Sequence, residues 1–128
     1  MKRVTGIGGI FFKSESPEKL YAWYEKHLGI TRGPDGSGAM FEWRDAQDSD
    51  KKGLTIWSIF PRDTKYFGSS NSALMINYLV DDLHALLKVL EAEGVAIDPH
   101  REDHEYGRFA WITDPDGTRI ELWEPPKK

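Results

Sequence analysis

The chain contains no cysteine. A disulfide framework, a thiol nucleophile and a cysteine-rich zinc site are therefore excluded, and any metal would have to be held by nitrogen and oxygen from His, Asp and Glu. Histidine is itself scarce, with 4 among 128 residues. Nor does one charge dominate: 17 basic against 21 acidic residues leave a net charge of -4. The basic residues are scattered, which argues against affinity gained by neutralising phosphates, so nucleic acid is not an expected partner. Long apolar runs are missing as well. The opening "MKRVTGIGGIFF" is interrupted by Lys13, Glu15 and Glu18 before a signal peptide or membrane span could form, so a cytoplasmic protein without a membrane partner is expected. A chain of 128 residues suits a single domain with its own hydrophobic core.

What is present is a pattern stated twice. "VTGIGGIFF" (4–12) reads as a buried strand, followed by a helix with Ser16 as N-cap, Pro17 at the first helical position and Gly29 as the left-handed stop. Leu20, Trp23, Tyr24, His27 and Leu28 recur at helical spacing, which predicts that Trp23 and Tyr24 face the core. "ALMINYLV" (73–80) repeats the strand. Asp81 or Asp82 then caps a helix carrying Leu83, Leu86, Leu87 and Leu90 and ended by Gly94. Ser16 to Asp81 and Gly29 to Gly94 are both offsets of 65 residues.

Each helix precedes strand-like segments: "GAMFEWR" and "GLTIWSIF" in the first half, "GRFAWIT" and "TRIELWE" around a DPDG turn in the second, with short strands possible near 30–33 and 95–98. The halves span about 1–62 and 73–128. "PRDTKYFGSSNS" (61–72) is the long connection between them, and "HREDHEYG" reads as a charged loop.

Duplicated strand-helix-strand modules ending in "DPDGTRIELWEPP" resemble the vicinal oxygen chelate superfamily, the group of glyoxalases, bleomycin-resistance proteins and extradiol dioxygenases. The resemblance covers essentially the whole chain. It implies an α+β fold of two tandem βαβββ modules in a curved, half-barrel-like mixed sheet, whose concave face in catalytic members holds a divalent ion with His and Glu. It also implies that Glu121 occupies the family's last ligand position, which agrees with alternation along the final strand. The other three positions fall near Gly9, near Met75, and at Ile56 or Trp57, and none of these side chains ligates a metal. An alternative set drawn from Glu42, His100, His104 and Glu121 would require the charged loop to fold inward.

No cofactor is therefore expected, a divalent metal is disfavoured, and the expected function is metal-free binding of a small organic molecule in an aromatic cavity, as in bleomycin-resistance proteins, within a homodimer. The alternatives are a metal-dependent lyase or isomerase of glyoxalase type, a dioxygenase with relocated ligands, or metal-free catalysis with Glu121 as base. Five tryptophans and five tyrosines suit a flat ligand. The candidate ligand-binding residues are Trp57, Met75, Asn77, Tyr106, Arg108 and Trp123, with Glu121 the one candidate catalytic group. Pairing Thr113 with Thr118 across the DPDG turn would put Trp111 beside Ile120 and Leu122, and would put Arg108 on the face of Glu121, where the two could form an ion pair.

Overall fold

In the computed structural model, which describes residues 2–127, the elements run in chain order β1 (Val4–Ser14), α1 (Pro17–Leu28), β2 (Ala39–Arg44), β3 (Lys52–Pro61), β4 (Leu74–Val80), α2 (Leu83–Ala92), β5 (Ala96–His104), β6 (Gly107–Thr113) and β7 (Arg119–Glu124). The two glycine- and aliphatic-rich strands, β1 and β4, meet antiparallel at the centre of one seven-stranded sheet of order β2-β3-β1-β4-β7-β6-β5. β3 lies parallel to β1, and β7 lies parallel to β4, so the two halves of the sheet mirror each other about the central pair. This is the mixed, curved sheet of tandem modules that the resemblance implies, with one difference. Residues 30–33 form no strand, so the first module has three strands and the second has four.

The helices cover one face. Asp82 caps α2, its Oδ1 accepting from the Ala85 amide at 3.0 Å. Leu83, Leu86, Leu87 and Leu90 are buried against Val80, Ala110 and Leu122, and each such leucine contributes about 2 kcal/mol. On α1 the buried stripe is shifted from the expected one. Tyr21 points inward beside Trp57 and Ile59, its hydroxyl accepting from the Ile59 amide at 2.8 Å, while Trp23 is 51% exposed and Leu28 60% exposed. Leu20 and Tyr24 pack against this cluster as the spacing predicts, whereas Trp23 and Leu28 do not, because the packed face is turned towards Tyr21. No described helix is long and apolar enough to cross a membrane.

Two further expectations are corrected. "HREDHEYG" is not a loop: its residues through His104 extend β5, an edge strand that tolerates Pro99 because one side of its backbone has no ladder to serve. At the DPDG turn, the Asp114 amide bonds the Thr118 carbonyl at 3.0 Å and Gly117 adopts φ 85°. The turn is thus a three-residue loop closed by a left-handed glycine, and Thr113 pairs with Arg119 instead of Thr118. That one-residue shift moves every side chain of β6 to the other face relative to β7. Trp111 becomes the cross-strand neighbour of Glu121, and Arg108 becomes that of Glu124.

The face away from the helices is concave and aromatic. Phe11, Met75, Leu79, Phe109, Trp111 and Trp123 form its buried cluster, and Phe67, from the connection between the modules, joins them with no exposed surface.

Candidate functional site

One row of residues crosses the middle of the concave face. Ile56 pairs with Gly9, Gly9 with Asn77, Asn77 with Glu121, and Glu121 with Trp111, on five successive strands. The four positions that the resemblance marks for metal ligands fall in or beside this row. The donors it offers are one carboxylate and one amide, since Gly9 has no side chain and Ile56 has only hydrocarbon. A divalent ion in a nitrogen and oxygen site needs about three protein ligands, so these residues do not fit one. The alternative set does not assemble either. Glu42 lies on β2, while the Nε2 atoms of His100 and His104 are both taken by Glu102, at 2.9 and 2.7 Å. Among the described residues no group of three or more His, Asp or Glu side chains could hold a metal.

Glu121 is instead enclosed. It has no exposed surface, and both its oxygens are occupied: the Tyr66 hydroxyl donates to Oε1, and the Asn77 Nδ2 amide donates to Oε2 at 2.8 Å. Gly8 makes the second bond possible, because a Cβ there would lie 2.4 Å from Asn77 Oδ1. Tyr66 comes from the connection, its ring stacked on Phe60 with centroids 5.4 Å apart and edge-on to Trp111 at 6.2 Å. Burial pushes the Glu121 carboxyl up, and the hydrogen bonds from Tyr66 and Asn77 pull it down; Glu102 adds a smaller upward push and Arg119 a smaller downward pull. The Tyr66 hydroxyl is driven far above its ordinary range, first by burial and then by the charge of Glu121.

The upward shift of Glu121 has a definite consequence for stability. The folded state holds this proton more tightly than the unfolded chain does, so its contribution is fully present below the unfolded value of about 4.5 and is lost as pH rises through the raised folded value. Subtracting the urea stability of a Glu121→Gln variant from that of wild type isolates the group. The difference should move against wild type as pH climbs from about 4.5 towards neutrality. The opposite slope would mean that the two hydrogen bonds outweigh burial.

The remaining candidates separate by face. Met75 and Asn77 are buried on the concave side, as is Trp123, which is stacked on Phe109 at 5.8 Å with its Nε1 donating to the Tyr106 carbonyl at 2.8 Å. The Tyr106 side chain is 60% exposed at the β5–β6 turn. Trp57 belongs to the opposite face, edge-on to Tyr24 at 4.9 Å beneath α1, and so lines no concave cavity. Arg108 does not pair with Glu121. The turn register carries it to the α2 side of the sheet, where its Nε lies 3.8 Å from Asp103.

The open space lies one layer further out. Leu79 and Trp123, each two residues beyond Asn77 and Glu121 along their strands, pair with one another and help to floor a cavity of about 500 Å³. Met40, Trp43, Leu54 and Pro125 also line it, with a contact of 3.6 Å between Lys51 and Asp81 among its rim residues. Alternation in "FEWRD" puts Phe41 and Trp43 on one face without saying whether it is core or cavity, and the structure sets Trp43 in the cavity wall. Its indole lies against the backbones of Gly6 and Gly53, where added Cβ atoms would come within 2.5 and 2.3 Å, and its Nε1 donates to Thr55 Oγ1 at 2.9 Å. Sequence reasoning missed Tyr66. The available signal was its place, with Phe67, as the one aromatic pair in a polar connection.

Among solved structures, the chain resembles the methylmalonyl-CoA epimerase from Mycobacterium tuberculosis, with 18% identity and a TM-score of 0.62 over 99% of this chain and 92% of that one. A Streptomyces coelicolor methylmalonyl-CoA epimerase variant in complex with 2-nitronate-propionyl-CoA matches with 16% identity and a TM-score of 0.67, over 97% and 99% of the two chains. A Legionella pneumophila structure described as an NAD-dependent benzaldehyde dehydrogenase matches with 12% identity and a TM-score of 0.61, over 92% and 98%. At such identities the likeness carries the fold alone. No curated protein matches the chain. The family model of the Glyoxalase/Bleomycin resistance protein/Dioxygenase superfamily matches residues 7–122, and the chain belongs to that superfamily.

Proposed function

We propose that this protein binds a small, partly planar organic molecule, without a metal, in the cavity between Trp43 and Trp123. The observation that carries this reading is the cavity itself: about 500 Å³, within the range of small-molecule sites, and walled largely by apolar and aromatic side chains with charges at its rim. The partly exposed Trp43 indole offers a wide, rigid surface on which a flat ligand can stack at little entropic cost, above a floor that includes the buried Trp123. Proton transfer by Glu121 fits less well, because its carboxyl has no exposed surface and lies two residues along the strand from the floor residue Trp123, outside the cavity lining. The Streptomyces neighbour holds 2-nitronate-propionyl-CoA, and the reading proposed for this chain rests on its own cavity instead.

Tryptophan fluorescence and thermal shift against a panel of planar aromatic compounds test the reading. Saturable binding by at least one compound is expected, and Trp43→Ala should weaken it about tenfold or more, near 1.4 kcal/mol. A panel without a hit, or a Trp43→Ala variant that binds as wild type does, would overturn it.

A further inference from the structure

The connection between the modules places a phenol against a buried carboxylate. The Tyr66 hydroxyl donates to Glu121, and its ring is framed by Phe60 in parallel, Trp111 edge-on and Phe11 edge-on at 6.4 Å. An acceptor at the bottom, aromatic walls on the sides and a polar end pointing inward are the parts of a recognition site for a phenolic molecule. The layer has more polar capacity than Tyr66 uses: Asn77 Oδ1 and Trp111 Nε1 are buried and have no hydrogen-bond partner. Unpaired buried polar atoms cost stability, so a pair of them beside a carboxylate points to recognition as well as packing.

The occupant is held by its side chain. The connection's backbone bonds from Thr64 to Ser70 are local turns, with Thr64 bonding Pro61, Gly68 bonding Lys65 and Ser70 bonding Phe67, none of them to a sheet strand beyond Pro61. Tyr66 is only partly buried, so its ring can leave by turning about its own Cα–Cβ bond while Phe67 stays in the core.

From this geometry we propose that the Asn77–Glu121 layer is a binding site for a free phenol, and that Tyr66 is its intramolecular occupant, which such a ligand displaces. The site lies two residues along β4 and β7 from the floor of the outer cavity and stands independently of the function proposed for that cavity.

The test uses p-cresol, the free form of the tyrosine side chain, and toluene, which lacks the hydroxyl. Affinity falls in proportion to the fraction of molecules whose site is open. Calorimetry should therefore show that Tyr66→Ala binds p-cresol about tenfold to a hundredfold more tightly than wild type, and that the same variant binds toluene at least tenfold more weakly than p-cresol. Binding should move the Trp111 indole N–H resonance, whereas a ligand in the outer cavity should move those of Trp43 and Trp123. Equal affinity for toluene and p-cresol, or wild type that shows no binding at a hundredfold excess over the variant's dissociation constant, overturns the proposal. If Tyr66→Ala does not fold, Tyr66→Phe keeps the ring and loses the bond to Glu121. It should then bind p-cresol at least threefold more tightly than wild type, and equality overturns the proposal.

Discussion

Replacing Glu121 with alanine is expected to lower the unfolding free energy by about 3–5 kcal/mol, a loss typical of a core truncation, although the residue is a carboxylate. Two effects add. The side chain fills space with no exposed surface, so its removal leaves a void among Trp111, Tyr66 and Asn77. It also accepts from both the Tyr66 hydroxyl and the Asn77 amide, which would be left buried without an acceptor. Glu121→Gln should behave quite differently and stay within about 1 kcal/mol of wild type at neutral pH. A glutamine oxygen still accepts from Tyr66. Its amide can donate to Asn77 once that side chain turns its unpaired Oδ1 around. Urea denaturation of the two variants decides the matter. A loss below about 1 kcal/mol for Glu121→Ala would show that Tyr66 and Asn77 find other partners and that the carboxylate keys nothing in place.

How far the sequence revealed this can be judged residue by residue. The strands around Gly9 and Asn77, both helices and the inward direction of Glu121 were legible because they rest on local signals: period, caps, left-handed glycines and the terminal motif. Three features were not, each for a physical reason. The packed face of α1 keeps Leu20 and Tyr24 but takes Tyr21 in place of Trp23, because the Tyr21 hydroxyl bonds the Ile59 backbone. The β6–β7 register depended on whether DPDG closes as a four- or a three-residue loop, and pattern alone does not decide that. Its outcome separated Arg108 from Glu121 and brought Trp111 beside it. The partner of Glu121 was hidden most deeply. Tyr66 lies 55 residues away in a stretch without period, where only the folded curvature of the sheet reveals what the connection covers.

That connection supplies the other large effect. Phe67→Ala should cost about 3–5 kcal/mol, because Phe67 is fully buried among the concave-face aromatics, edge-on to Phe60 at 5.5 Å, with the Lys13 ammonium 4.9 Å from its ring. Its distinctive consequence lies beyond the loss of stability. Phe67 is the deepest anchor of a segment whose backbone is tied to itself by turns, so its removal should free residues 64–70 while β4 and β7 stay paired. Native-state hydrogen exchange at the amides of Gly68 and Ser70 should accelerate by an order of magnitude or more beyond the change at Asn77. Leu90→Ala, a truncation in the cluster under α2, is the control: it should cost a comparable core loss and leave exchange at Gly68 unchanged relative to the sheet. If the two variants exchange alike, Tyr66, through its bond to Glu121 and its stacking on Phe60, secures the connection. The segment would then be fastened to the concave face by the side chain that a competing phenol must displace.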